Sequence, residues 1–220
     1  MVEKSRSFAV IGLGAFGTAV ASELARFGNR VLGIDVNERR VAALADVLHE
    51  VRIVDGTDEA ALRETGLEHY DVVVVAIGRD LEASIVATMN ARLVGCSTIW
   101  VKAHSRTHHR ILVKLGADRV IQPEQEIGQH IAQVLNNPLV RDYVSLGNGF
   151  HVVNILLPKE LEGRTLAALR LKQKFDLRPL GLMRGTEFLA CDRDDVVLKG
   201  DDKLLVLGRR PELRRFGDSI

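Results

Sequence analysis

The sequence predicts an α/β fold with a doubly wound parallel sheet of the Rossmann type, a crossover helix and a small α+β C-terminal lobe. Short runs rich in valine and isoleucine alternate with segments of helical spacing about every 20 to 25 residues. Such alternation is typical of βαβ units, in which helices cover both faces of a parallel sheet. The run "DVVVVAIG" has almost no polar residues between its ends, as expected for a strand buried on both sides.

The first part of the chain contains the predicted parallel strands. They occupy residues 8–11, 31–34, 51–54, 72–77, 99–101 and 120–121. Helices are indicated between them by apolar residues at helical spacing, such as those in residues 19–27 and 85–93. After residue 123, "EQEIGQHIAQVLNN" places one apolar stripe on a further helix, and the following Pro138 ends it.

A domain boundary is predicted near residue 138. It separates a nucleotide-binding domain, residues 1–137 with the crossover helix, from a C-terminal lobe, residues 138–220. The alternating stretches "HVVNILL", "EFLAC" and "DKLLVLG" favour a small antiparallel sheet, and "LAALRL" favours a short helix. The crossover helix either packs on the first domain or leaves to meet another subunit.

Composition narrows the class of protein. A net charge of +1 gives no reason to expect nucleic acid as a partner. The two cysteines, Cys96 and Cys191, form no CxxC pattern, which argues against a disulfide scaffold and fits a reducing cytoplasm. The apolar run at the N-terminus is interrupted by glycines within a few residues, so neither a secretion signal nor a membrane span is expected there.

Three glycines follow the first strand in the pattern GxGxxG. Gly12 allows a tight turn, Gly14 the close approach of a phosphate, and Gly17 close packing of helix on strand. Asp35 stands 18 residues after Gly17, at the end of the second strand, where its carboxylate can accept hydrogen bonds from ribose hydroxyls. The pattern predicts an adenosine-phosphate site. NAD, ATP and ADP all fit it, whereas the acid disfavours the 2′-phosphate of NADP.

Signatures of catalysis are missing from the sequence. GxxxxGK[ST], GxSxG and HExxH do not occur, and the histidines of "KAHSRTHHRIL", namely His104, His108 and His109, are expected to be solvated. A small NAD-dependent oxidoreductase remains the alternative. Its catalytic candidates would be the scattered polar residues after the boundary: His151, Arg178, Glu187 and Asp192.

Four blocks of the sequence resemble one family. They are "GLGAFG", "GIDVNE", "VDGTDEAALRETGLEHYDVVVVAIG" and "VKAHSRTHHRILVKLGADRVIQPEQEIG". Together they are similar to the RCK-domain regulatory subunits of bacterial Ktr/Trk potassium uptake systems, over residues 7–217. The resemblance implies a non-enzymatic, cytoplasmic subunit whose homodimers form an octameric ring beneath a membrane-embedded potassium-translocating subunit of the KtrB/TrkH type.

The resemblance also implies a site for ATP or ADP, with NAD(H) as a further ligand. By position it assigns the ligand-binding role to Gly12, Gly14, Ala15, Phe16, Gly17, Asp35, Asn37, Thr57, Asp58, Ala76, Ile77, Gly78 and Lys102. The family's usual loop is GxGRFG, so Ala15 stands where an arginine normally reaches a terminal phosphate. We expect weaker discrimination between ATP and ADP, unless Arg79 supplies the charge.

Two further sites are implied by the resemblance. Glu124 matches a position at which relatives bind a divalent or sodium ion across the dimer interface, against the simpler interpretation of an acid at a helix N-terminus. The C-terminal lobe resembles one that binds cyclic di-AMP in some relatives. The basic end "GRRPELRRFG" is expected to be a solvated tail.

Overall fold

A computed structural model describes residues 5–136, 139–191 and 196–220. The predicted boundary at Pro138 and the candidate Asp192 lie outside these ranges. The chain divides into two compact units, residues 1–124 and 125–220. None of the helices in the described ranges combines the length and apolar character needed to cross a bilayer.

The first unit contains the predicted parallel sheet. Its strands in the described residues are β1 (Ser7–Ile11), β2 (Arg30–Asp35), β3 (Glu50–Ile53), β4 (Val72–Val75), β5 (Ile99–Lys102) and β6 (Arg119–Ile121). They are arranged in the order β3-β2-β1-β4-β5-β6, with every pair parallel. The doubly wound sheet is therefore confirmed. β4 ends two residues earlier than predicted, so Ala76 and Ile77 leave the sheet at its carboxyl edge.

Helices alternate with these strands. They are α1 (Ala15–Arg26), α2 (Glu38–Ala42), α3 (Glu59–Glu64), α4 (Leu81–Val94) and α5 (Arg106–Lys114). The next helix, α6 (Pro123–Leu135), follows β6 and belongs to the second unit from residue 125 onward. Four of the helices begin at a side chain that accepts a hydrogen bond from a free N–H of the first turn: Asn37, Asp58, Asp80 and Ser105. These short polar residues fix where each helix starts.

Apolar side chains cover both faces of the parallel sheet. Val73 and Val75 of β4 face one core with Ile99, while Val72 and Val74 face the other. This alternation within one valine run explains why β4 lacks a polar face. Each fully buried valine contributes about 1.5 to 3 kcal/mol relative to an exposed one, so β4 contributes strongly to the stability of the sheet.

The second unit holds an antiparallel sheet, as predicted. Its strands are β7 (Val140–Gly147), β8 (Phe150–Leu156), β9 (Arg178–Arg184), β10 (Glu187–Ala190) and β11 (Lys203–Arg209), in the order β10-β9-β11-β8-β7. Two short helices, α7 (Leu171–Phe175) and α8 (Arg210–Gly217), belong to the same unit. Val134 of α6 also packs against its core.

One sequence expectation for this unit is confirmed and another was wrong. The short helix predicted near residues 166–171 is a 3₁₀ helix, Leu166–Leu169, which ends where Arg170 adopts a left-handed conformation with φ 48°. The basic end is no solvated tail. It forms α8, which buries Leu213 and Phe216 in the core because both lie on one side of the helix.

A buried ion pair ties β9 to the loop before β11. Arg184 donates from Nε to Asp202 Oδ1 (2.9 Å) and from Nη2 to Oδ2 (2.8 Å), and the Lys199 N–H donates to Oδ2 (2.8 Å). Asp202 is 1% exposed. Burial acts to raise its pKa, but the hydrogen bonds from Arg184 and Lys199 outweigh burial and hold the pKa below its usual value.

Replacing Arg184 with Met leaves the Asp202 carboxylate buried without its cation. We expect the free energy of unfolding at pH 7 to fall by about 3 kcal/mol in urea titrations. Because the folded-state pKa of Asp202 is lowered, the pair stabilises the wild type above the unfolded-state pKa, and this stability is lost as pH falls through the folded-state value. The difference between wild type and variant should therefore shrink below about pH 4.

The exposed Arg178 on the same strand provides the control. Arg178→Met should change the free energy of unfolding by about 0.5 kcal/mol or less. Equal losses in both variants would show that the ion pair is not the source of the effect.

Candidate functional site

A cleft of about 1000 Å³ opens at the carboxyl edge of the parallel sheet. It lies where β1 is flanked by β2 on one side and β4 on the other, and the helices after these strands lie on opposite faces. In open α/β sheets, ligands bind at such a reversal of strand order. The predicted site residues that line the cleft are Gly12, Gly14, Ala15, Phe16, Asp35, Thr57, Ala76, Ile77, Gly78, Lys102 and Glu124.

In the glycine loop, Gly12 and Gly17 are required by the backbone, whereas Gly14 leaves space. Gly12 has φ +98°, and a Cβ there would lie 3.1 Å from the Ala76 carbonyl carbon. A Cβ on Gly17 would lie 1.9 Å from the Gly12 oxygen, so α1 could not sit this close to the loop. A Cβ on Gly14 would meet nothing within 4 Å, which leaves open space at the start of α1. That space and the free N–H groups of the helix suit a phosphate.

Asp35 fastens the glycine loop to the end of β2. It is 5% exposed, and its carboxylate accepts from the backbone N–H groups of Leu13 (2.7 Å) and Asn37 (2.8 Å). Arg40 Nη1 lies 3.3 Å from Oδ2. An ionised carboxylate offers about four acceptor positions, so three are already occupied within the chain. One position on Oδ1 remains for a ribose hydroxyl.

Three predicted ligand residues do not line the cleft. Gly17 is covered by the loop itself. Asn37 accepts from the N–H groups of Arg39 and Arg40, and Asp58 accepts from Ala61, so both side chains cap helices. Their direct contact with a ligand stays a prediction. The structure assigns them the task of fixing the helix starts on either side of the cleft.

Thr57 reaches the cleft from the loop after β3. It donates to Asp55 Oδ1 from its hydroxyl (2.7 Å) and from its N–H (2.9 Å). The backbone hydrogen bond and then the hydroxyl lower the pKa of Asp55. Asp55 therefore stays ionised near neutral pH and adds negative charge to this wall.

Lys102 ends β5 with its side chain inside the cleft. The residue is 9% exposed, and its Nζ lies 5.4 Å from the centroid of the Phe16 ring. Nζ pairs with the carboxylate of Glu124, the second residue of α6. The hydrogen bond from Lys102 lowers the pKa of Glu124, while its partial burial acts in the opposite direction.

Several cleft residues escaped the sequence analysis as ligand candidates: Val36, Arg40, Val54, Asp55, Gly56, Asp80, Glu82, Ala83, Val86 and His104. One of them, Arg40, had a usable signal, because it lies in the helix that directly follows Asp35. The apolar and acidic members had none, since residues of those types occur at many helix starts and strand ends. Arg79, named as a substitute for the missing arginine, does line the cleft.

The expectation of solvated histidines was wrong for His108. This residue is 1% exposed, and its Nδ1 lies 3.0 Å from Nδ1 of the exposed His104. Burial, and then the proximity of His104, lower the pKa of His108. His108 is consequently a neutral core residue of α5 at neutral pH.

The predicted cation site at Glu124 does not fit the residues of a single chain. Within the described ranges, no three His, Cys, Asp or Glu side chains are grouped as metal ligands. Glu124 contributes one carboxylate, and that carboxylate is paired with Lys102. A hard divalent cation takes six or more oxygen ligands. Cation binding between two copies stays a prediction.

A second concavity, of about 650 Å³, lies in the C-terminal unit. Among its lining residues are Leu139, Glu160 and Arg164. These do not distinguish one ligand class from another. The binding of cyclic di-AMP to this unit stays a prediction.

Fold and cleft together define a two-unit protein with a Rossmann-type nucleotide-binding fold. Residues 8–123 match the TrkA-N domain, and residues 150–220 match the TrkA-C domain. The chain is 33% identical over 213 residues to the Ktr system potassium uptake protein A of Bacillus subtilis, covering 97% of this chain and 96% of that protein. It is 36% identical to protein A of Vibrio alginolyticus, covering 94% of both chains. The chain belongs to the TrkA-N/TrkA-C family of potassium uptake proteins.

Solved structures share the fold. The GsuK channel superposes with a TM-score of 0.67 at 13% identity, covering 97% of this chain and 39% of the channel chain. The NAD(P)-binding domain of an exopolyphosphatase-related protein from Archaeoglobus fulgidus superposes with a TM-score of 0.53 at 26% identity. That match covers 59% of this chain and 96% of that domain. The first match shows that the two-unit fold recurs within a larger channel protein.

Gly14 and Gly17 differ in what the methyl group of an alanine would contact. Gly17→Ala places a methyl group against the Gly12 carbonyl, and we expect a loss of about 3 kcal/mol or more in the free energy of unfolding. Gly14→Ala, the matched variant, places the methyl in open space and should cost about 1 kcal/mol or less. Thermal and urea denaturation measure both. Similar losses would contradict the role given to the Gly12–Gly17 contact.

Asp35→Asn should destabilise the protein by about 1 to 3 kcal/mol. Asparagine keeps one acceptor oxygen, so either the Leu13 or the Asn37 N–H would face an amide NH₂. Asp58→Asn is the control, because its capping bond to Ala61 needs only one oxygen and asparagine caps as well as aspartate. Urea titrations that find both variants equally stable would contradict this account of Asp35.

Proposed function

We propose that this chain is the cytoplasmic, nucleotide-binding regulatory subunit of a bacterial potassium uptake system. The observation that carries the proposal is the identity of 33 to 36% with Ktr system potassium uptake proteins A and C, over 94 to 97% of this chain. Alignment over both units supports transfer of the whole protein's role, rather than of a nucleotide-binding domain alone.

The ligand we propose is an adenine nucleotide, ATP or ADP, with NAD(H) as a further candidate. The open space at Gly14 and the free N–H groups of α1 support a diphosphate, and the remaining acceptor on Asp35 supports a ribose. The 26% identical domain described as NAD(P)-binding adds support for a nucleotide. Ala15 leaves the loop without a charge for a terminal phosphate, so we expect little preference for ATP over ADP.

We further propose that homodimers assemble into an octameric ring against a membrane-embedded potassium-translocating subunit at the inner face of the membrane. A stripe of exposed apolar side chains on α6 supports association: Ile127, Ile131 and Leu135, at four-residue spacing, are 56%, 49% and 77% exposed. Contiguous apolar surface of this kind marks protein contacts more often than single exposed residues do. The nucleotide would act by binding two forms of the ring with unequal affinity.

Titration calorimetry with ADP, ATP and NADH tests nucleotide binding. Wild type should bind ADP and ATP with similar affinity and consume neither. Gly14→Val fills the space beside the first turn of α1, and we expect it to weaken ADP binding at least about tenfold while the protein stays folded. Binding unaffected by Gly14→Val would place the nucleotide elsewhere.

Reconstitution with the membrane subunit tests the regulatory role. Potassium uptake into vesicles should depend on the added chain and change when ADP or ATP is added, and light scattering should give the mass of an octamer. Steady oxidation of NADH with a small carbonyl compound would instead support the oxidoreductase alternative. Potassium uptake that is the same with and without the added chain would contradict the proposal.

A further inference from the structure

One basic side chain in the lining of the cleft, that of Lys102, is buried. Lys102 is pressed between the glycine loop and the end of β4, because its Nζ would lie 3.3 Å from a Cβ on Gly78 and is 5.4 Å from the Phe16 ring centroid. Of the other basic residues that line the cleft, Arg40 is held by Asp35 at the end of β2, and Arg79 is exposed. Lys102 is the buried one, and its ammonium group lies beside Phe16, the residue that follows Ala15.

The carboxylate of Glu124 is the ion-pair partner of the Lys102 ammonium group. The Glu124 side chain is 69% exposed, whereas that of Lys102 is 11% exposed. The two side chains of the pair therefore differ in how much room they have to move. Lys102 is fixed by its surroundings, while the exposed Glu124 side chain can turn into water once another anion takes its place beside the ammonium group.

We propose that Glu124 is an internal competitor for the ligand's phosphate: nucleotide binding exchanges the Glu124–Lys102 pair for a phosphate–Lys102 pair. This inference rests on the proposed nucleotide binding. The exchange keeps an anion next to the buried ammonium throughout, so no uncompensated charge is left in the cleft. A phosphate replaces the carboxylate because it carries more charge and more acceptor oxygens.

The exchange has a direct effect on α6. Glu124 is the second residue of this helix, and its pair with Lys102 attaches the first turn of α6 to the end of β5. Once a phosphate holds Lys102, that attachment is released. Occupancy of the cleft is thereby transmitted to the helix that leads from the first unit into the second.

Titration calorimetry on Glu124→Gln tests the exchange, with a chelator present so that no divalent cation contributes. The variant keeps the shape of the side chain and removes its charge. We expect ADP to bind about three- to fivefold more tightly than to wild type, which is the affinity gained when an exposed ion pair no longer competes. Adenosine, which has no phosphate, should bind both proteins equally.

Two further variants separate competition from a general loss of negative charge. Glu126→Gln removes the same charge from the same turn of α6, outside the cleft lining, and should leave ADP affinity within about twofold. Lys102→Gln should weaken ADP binding about tenfold or more, and adding Glu124→Gln to it should produce no further change. Thermal denaturation checks that each variant is folded.

The outcomes distinguish the inference from the function on which it rests. If the wild type binds no adenine nucleotide, the proposed function itself is contradicted. Wild type that binds ADP, with Glu124→Gln unchanged or weaker, would overturn the competition alone. Equal tightening by Glu124→Gln with and without Lys102 would also overturn it, since the effect would then not pass through the ammonium group.

Discussion

The hydrogen bonds accepted by Asp35 determine the geometry on which the cleft depends. A buried carboxylate at the end of β2 holds the Leu13 N–H of the glycine loop and the Asn37 N–H at the start of α2. One side chain therefore fixes the ends of β1 and β2 and the first turn of α2 relative to each other. The usual task of an acid at this position, contact with a ribose, uses only the acceptor capacity that remains.

The sequence predicted the layered part of the fold well because that part follows from local patterns. Valine-rich runs such as β4 can be recognised without knowing their neighbours, and GxGxxG can be recognised from the fixed spacing of its glycines after a strand. The short helix at Leu166–Leu169 was predicted from its apolar residues, but its end was not, because the left-handed conformation of Arg170 has no signature in the sequence. Burial of Phe216 was missed because basic residues on the solvent side of α8 dominate the sequence there.

The candidate site was only partly predictable, for a related reason. Residues next to a recognisable motif could be named from the sequence, as Lys102 at the end of β5 was. Pairing between residues far apart in sequence could not be predicted. The contact of Lys102 with Glu124, which are 22 positions apart, is an example. His108 shows the same limit, since its burial depends on the packing of α5 rather than on the histidine-rich pattern around it.

The contact between Gly12 and Gly17 has a mechanical consequence. The Gly12 carbonyl lies where a side chain on Gly17 would stand, so the glycine loop and α1 are in direct backbone contact. Packed interiors of this density resist gradual deformation. A ligand held at this loop would meet a stiff surface, so the groups of the cleft that can change position are its longer, exposed side chains, such as that of Glu124.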